Sequence, residues 1–161
     1  MNFLDKIEII NWIKIIIIAI VIVLAIQWII LPIRVKGRSM ESTLFNNDYM
    51  IISKAITLLE PVKSQDIIVL NMDINDHNHR VVKRVIGIEG DHIIIKEGDV
   101  FKNGEKLDES YIIGETKGEV DIIVGKDHVF VLGDNRPLSK DSRNYGSIHI
   151  DEIIGKVIKV F

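Results

Sequence analysis

IIIIAIVIVLAIQWIILPI, residues 15–33, contains no charged side chain, and its reading divides the chain in two. As a helix rising ~1.5 Å per residue it spans roughly 28 Å, the thickness of a bilayer's hydrocarbon core. The only two tryptophans, Trp12 and Trp28, lie toward its ends, where interfacial aromatics are expected. A cleavable leader would have an apolar core of roughly 7–15 residues followed by a small-residue cut site. This run is longer, and Leu31-Pro32-Ile33-Arg34-Val35-Lys36 offers no such site. Residues 1–33 therefore read as an N-terminal segment with a retained single-span anchor, and residues 34–161 as one domain. Lys6 and Lys14 precede the run beside Asp5 and Glu8, whereas Arg34, Lys36 and Arg38 follow it. Taken alone, the positive-inside bias puts the C-terminal domain in the cytoplasm, although long domains translocate largely regardless of charge.

Beyond residue 34 the pattern changes to short apolar or alternating runs. Tyr49–Ser53, Asp66–Leu70, Val81–Ile86, His92–Ile95, Val120–Val124 and His128–Leu132 read as strands. Asn103-Gly104 between Val100–Lys102 and Glu105–Leu107 marks a tight hairpin. Glu89-Gly90-Asp91 and Glu97-Gly98-Asp99 mark turns. Lys54–Leu59 is long enough for one helical turn, but no longer helical period follows the anchor. The expected fold is mainly β: a single N-terminal transmembrane helix followed by a folded antiparallel sheet or partly open barrel.

Composition removes several function classes. The net charge is -3 and no basic run occurs, so nucleic acid is not an expected partner. The chain has no cysteine, which rules out disulfides, thiol nucleophiles and cysteine-ligated zinc. Asp73, Asp76, His77 and His79 cluster in a polar stretch without a further ligand set, and read as a hydrophilic loop.

Three segments carry chemistry-bearing residues. Gly37-Arg38-Ser39-Met40 follows the anchor within a few residues, placing Ser39 within roughly 22 Å of its end even when fully extended. Serine is a weak nucleophile and needs a group to take its proton. Lys83 lies inside Val81–Ile86 and shares a strand face with Val81 and Val85. A free lysine amine is almost wholly protonated at neutral pH, but an apolar setting lowers its pKa enough to make it a base. The third segment, Gly133–Arg143, is dense in turn formers. Within it Ser139 is suited to orient the Lys83 amine, and Asp141 with Arg143 to hold the loop as a charged pair.

Together these segments resemble the type I signal peptidases of bacteria. The family pattern S-M-x-P-T-L reads here Ser39-Met40-Glu41-Ser42-Thr43-Leu44, and K-R-V-I-G-x-P-G-D reads Lys83-Arg84-Val85-Ile86-Gly87-Ile88-Glu89-Gly90-Asp91. G-D-N-R-x-x-S-x-D-S-R is complete from Gly133 to Arg143, and Ile153–Val157 looks like the family's closing strand. The resemblance implies a membrane-bound serine endopeptidase that removes signal peptides from exported pre-proteins through an acyl-enzyme. It implies Ser39 as nucleophile, Lys83 as general base, Ser139 as hydrogen-bond partner of that lysine, and Asp141 and Arg143 as a supporting ion pair. Gly37 stands where some members carry a hydroxyl for the oxyanion, so backbone N–H groups, Ser39's first, would serve; Met40 would pack or touch substrate or lipid. No metal or organic cofactor is implied. The expected partners are pre-protein signal peptides and the lipid bilayer, with the catalytic domain on the extracytoplasmic side of the plasma membrane.

Two family prolines are replaced, by Ser42 and Glu89. Proline stiffens a loop, so restoring it at position 42 is expected to stabilise the turn or speed cleavage. Two rival readings fit the same residues. One is a dedicated conjugation-type Ser/Lys peptidase; the other is an inactive membrane-tethered β domain that binds peptides.

Overall fold

The computed structural model describes residues 3–55, 60–74 and 77–161, and begins with helix α1, Phe3–Ile29. From Glu8 to Ile26 every side chain of α1 is exposed, isoleucine, valine and leucine included. A helix that is apolar all round has no one-sided core contact to make, and matches a hydrocarbon surrounding by length and composition. The apolar run does not stay helical to its end. Ile30–Arg34 forms strand β1, antiparallel to β2, Tyr49–Ser53. Pro32 explains the switch: it lacks the N–H a helix interior needs and turns Leu31 toward extended geometry. Proline is tolerated here because β1 is an edge strand.

The remaining strands are β3, Ile67–Ile74; β4, His77–Ile88; β5, His92–Lys96; β6, Asp99–Lys102; β7, Glu105–Lys106; β8, Val120–Ile123; β9, His128–Leu132; β10, Ile148–His149; and β11, Ile153–Val160. They form a curled seven-stranded sheet in the order β1-β2-β11-β3-β4-β9-β10 and a four-stranded sheet in the order β7-β6-β5-β8. Every pairing between these strands is antiparallel. This is the mainly β architecture that the alternating runs imply. The long hairpin β3–β4 keeps register from Ile67↔Arg84 to Ile74↔His77. Asp73, His77 and His79 therefore lie on strands rather than in a loop, because the ladder runs past the apolar residues that announce it. Residue 76 lies outside the described residues, as does most of the helical turn expected at Lys54–Leu59.

Three apolar clusters support the site. Val35, Met40, Leu44, Met50, Ile52 and Val69 form one, beneath the segment that carries Ser39. A second joins Ile68, Leu70, Val85 and Val131 along the middle strands. The third, around Ile86, Ile93, Phe130 and Leu132, ties the smaller sheet to β4 and β9. Leu44 is fully buried in the first cluster. Leu44→Ala is expected to destabilise the domain by about 2–5 kcal/mol, read as a shift in urea denaturation followed by circular dichroism.

Candidate active site

Ser39 opens a tight turn. The Thr43 and Leu44 N–H groups both donate to the Met40 carbonyl, at 3.0 and 2.8 Å. Met40 and Leu44 are the buried residues of this turn and root it in the core, so Met40 is a packing residue rather than a surface contact for lipid. Gly37, just ahead, has φ 99°, a left-handed conformation that favours glycine; its N–H donates to Asn46 Oδ1 at 3.0 Å.

Lys83 comes from β4, 44 residues away in sequence, and its Nζ lies 3.0 Å from Ser39 Oγ. Its side chain is almost wholly enclosed, at 2% exposure. Burial pushes the amine down from 10.5 to about 8; Asp141 and Asp134 act against that shift and Arg143 with it. An amine in hydrogen-bond contact with a hydroxyl, and within reach of its neutral form near physiological pH, is equipped to take that hydroxyl's proton.

The segment from Gly133 to Arg143 holds both partners. The Asn135 N–H donates to the Ser39 carbonyl at 3.0 Å. Gly133 passes so close that a Cβ on it would lie 2.5 Å from that carbonyl oxygen and 2.2 Å from Ser139 Oγ. Only glycine allows this approach. Asp141 is fully buried; it accepts from the Gly133 N–H at 3.0 Å and pairs with Arg143, Nε to Oδ1 at 2.8 Å. Burial raises its pKa, but the Arg143 hydrogen bond and charge and the Gly133 N–H outweigh that and hold it below the usual carboxylate range. Asp141 also caps the short helix α2, Ser142–Tyr145, through a capping box with Asn144.

Ser139 departs from the expectation. Its hydroxyl is buried over Gly133 and acts on the Asp141 carboxylate, which it helps hold low, rather than bonding the Lys83 amine. That amine is turned to Ser39 instead.

Several residues that join the site carry no motif-independent signal in the sequence. Arg84 forms a two-pronged pair with Asp134, at 2.9 and 2.7 Å, and also reaches Thr43 Oγ1 at 3.2 Å. Thr43 in turn donates to Asp134 at 2.5 Å. Arg136, fully buried, donates to the Gly133 carbonyl at 3.1 Å, to both oxygens of Glu109 and to Thr116. Strand periodicity marks Arg84 as facing away from Lys83, but nothing local names its partner 50 residues on.

The comparisons with known proteins point to a single family. The family model described as "Signal peptidase, peptidase S26" matches residues 9–161. The chain belongs to that family.

Among family members, signal peptidase I P of Bacillus subtilis subsp. natto is 37% identical over 169 residues, covering 97% of this chain and 90% of that protein. Signal peptidase IB of Staphylococcus aureus strain COL is 34% identical, covering 94% of this chain and 88% of its own. The crystal structure of a signal peptidase I from Enterococcus faecalis superposes with a TM-score of 0.54 at 26% identity, over 62% of this chain and 98% of that one.

Against the family's sequence pattern, the two proline replacements have structural accounts. Glu89 accepts the Asp127 N–H at 3.0 Å and so ties its turn to the loop before β9. Ser42 has φ 89°. Proline is confined near -65°, so Ser42→Pro does not fit this turn, contrary to the expectation that it would stabilise it. For serine the left-handed conformation costs about 1–2 kcal/mol.

Burying Lys83 also lowers stability. Its native pKa lies below the unfolded value, so the unfolded chain binds the proton more tightly. The penalty is on the order of 3 kcal/mol below about pH 8 and fades as pH rises from there to 10.5. Lys83→Met keeps the bulk without the charge. The variant is expected to unfold at higher urea than the parent near neutral pH, with the gap closing by about pH 10.5.

Proposed function

We propose that this chain is a membrane-anchored serine endopeptidase that removes signal peptides from pre-proteins, with Ser39 as nucleophile and Lys83 as general base. The observation that carries the reading is the 3.0 Å contact between a buried lysine amine and a half-exposed serine hydroxyl. At an ordinary pKa of 10.5 the amine would be neutral in roughly 0.03% of molecules at pH 7; at about 8 that fraction is roughly 10%. Burial thus raises the supply of active base about 300-fold.

This contact supports the following reaction. Neutral Lys83 takes the Ser39 proton as Oγ adds to the scissile carbonyl. The oxyanion needs donors, and the Ser39 N–H is the first candidate, since no group among the described residues accepts it. Collapse of the tetrahedral intermediate breaks the C–N bond, and protonated Lys83 gives its proton to the leaving amine. Water, activated by the same amine, then hydrolyses the ester. Ser139, whose hydroxyl is buried over Gly133 beside the Ser39 carbonyl, is our candidate to receive the amine once it releases Ser39.

Sheet pairing supports an extended substrate. On one edge β4 pairs β3 along His77–Arg84, but on the other it pairs β9 only over Arg84–Ile88. The stretch just before Lys83 therefore has an edge without a strand partner among the described residues. A pre-protein segment added there as a strand would bring its carbonyls past Lys83 and Ser39.

The apolar helix α1 supports anchoring in a bilayer, where a signal peptide's cut site also lies near the surface. Tethering both reactants to one plane raises their effective concentration. We place the catalytic domain on the extracytoplasmic side, where exported pre-proteins emerge, although the basic residues after α1 favour the opposite face.

Ser39→Ala and Lys83→Ala are each expected to reduce pre-protein cleavage by at least about 1000-fold while the circular dichroism of the domain is retained. The rate of the parent is expected to climb with pH, levelling above about 8 as Lys83 loses its proton. A flat profile from pH 6 to 10, or near-parental turnover by either variant, would contradict the assigned roles.

A further inference from the structure

The nucleophile turn is held from two sides. On the inner side Asn135 grips the Ser39 carbonyl and Asp134 takes the Thr43 hydroxyl. Glu41 adds side-chain contacts to Arg38 and Asn135, and on the outer side the Ser42 hydroxyl ties the turn to a different segment by donating to the Tyr111 carbonyl. We propose that Ser42 is a positioning residue, whose hydroxyl, by tethering the turn to Tyr111, keeps Ser39 in register with Lys83. This rests on the Ser39 and Lys83 reading given above.

The Tyr111 carbonyl is a firm attachment point. The Tyr111 ring lies over the Arg84 guanidinium, 4.0 Å from centroid to Cζ, and its hydroxyl donates to Glu109 at 3.0 Å. Glu109 is gripped by the buried Arg136. Two residues on, the Ile113 N–H donates to the Asp134 carbonyl at 2.9 Å, and the Arg136 N–H donates to the Ile113 carbonyl at 3.1 Å. The turn from Glu109 to Ile113 is thus locked to the segment that holds Ser39, and its tyrosine stacks on the arginine beside Lys83.

Ser42 itself argues for orientation rather than stability. It is exposed, so water would satisfy its hydroxyl if the tether were absent. It also sits at φ 89°, a strained conformation for serine that glycine adopts freely. A residue that strains the backbone and gains no burial is explained by what its hydroxyl fixes. What it fixes is the far side of a turn whose first residue is the proposed nucleophile.

The test uses the full-length chain in detergent micelles and a pre-protein substrate. Ser42→Gly relieves the strain and removes the tether. Its melting temperature is expected to stay level or rise, while kcat falls about tenfold and KM stays within about twofold. The midpoint of the pH–rate profile should not move, because Lys83 keeps its surroundings. Ser42→Ala removes the same hydroxyl without adding backbone freedom and should show the same loss of kcat. The proposal is overturned if either variant keeps kcat within about twofold of the parent, or if activity and melting temperature fall together. Ser39→Ala runs alongside: an inactive Ser39→Ala with an unimpaired Ser42→Gly defeats this inference alone, whereas an active Ser39→Ala defeats the nucleophile assignment and this inference with it.

Discussion

A lysine amine is kept out of water at the centre of this domain, and the rest of the site is arranged around that constraint. Two carboxylates, Asp141 and Asp134, lie near enough to raise the Lys83 pKa. Each is committed to its own guanidinium: Asp141 to Arg143, and Asp134 to Arg84. Desolvation remains the largest influence on Lys83, and of the two guanidiniums Arg143 adds to it. A buried ion pair is weak evidence for stability in itself. Here Arg143, paired with Asp141, offsets part of that carboxylate's pull on the buried amine.

The same groups also do the mechanical work. Asp141 fixes the Gly133 N–H, Asn135 fixes the Ser39 carbonyl, and Arg84 spans Asp134 and Thr43. Three segments far apart in sequence are therefore joined by bonds that include Asp141 and Asp134, two of the charges that act on Lys83. Gly133 makes this possible, since any side chain there would meet the Ser39 carbonyl and Ser139. Geometry and pKa are not separable properties of this site. A change that loosens the Gly133–Arg143 segment also changes the field at the amine.

Much of the fold is legible in the sequence because strand alternation and turn residues are local signals. Tyr49–Ser53 and His128–Leu132 emerge with the bounds that the runs announce, and the Asn103-Gly104 turn joins β6 and β7. The failures share one cause, a signal that is not local. Ile30–Arg34 looks like the end of an apolar helix, because an edge strand over a core has the same composition; only its pairing with β2 tells them apart. Ser142–Tyr145 hides in a polar loop because its helix rests on a capping box rather than an apolar face. Motif resemblance brings Ser39, Lys83 and Asp141 forward, but it says nothing of Glu109, whose partner Arg136 lies 27 residues away. Nor does it reveal the φ of Ser42, which reverses the effect expected of a proline there.

The junction between helix and domain bears on how such a site would meet its substrate. Strand β1 begins at Ile30, directly after α1 ends at Ile29, and the Lys54 N–H donates to the Ile29 carbonyl at 2.9 Å. No flexible linker separates the apolar helix from the sheet. β1 then pairs along its whole length with β2, and five residues after its end comes Ser39. On the proposed anchoring, the depth of Ser39 relative to the bilayer is set by a paired strand and a rooted turn rather than by a tether of variable length. A long flexible linker would let the site sample many heights and would dilute the productive one. A sheet-bound connection restricts that range. The strand that proline removes from the helix is thus the element that converts an anchor into a ruler.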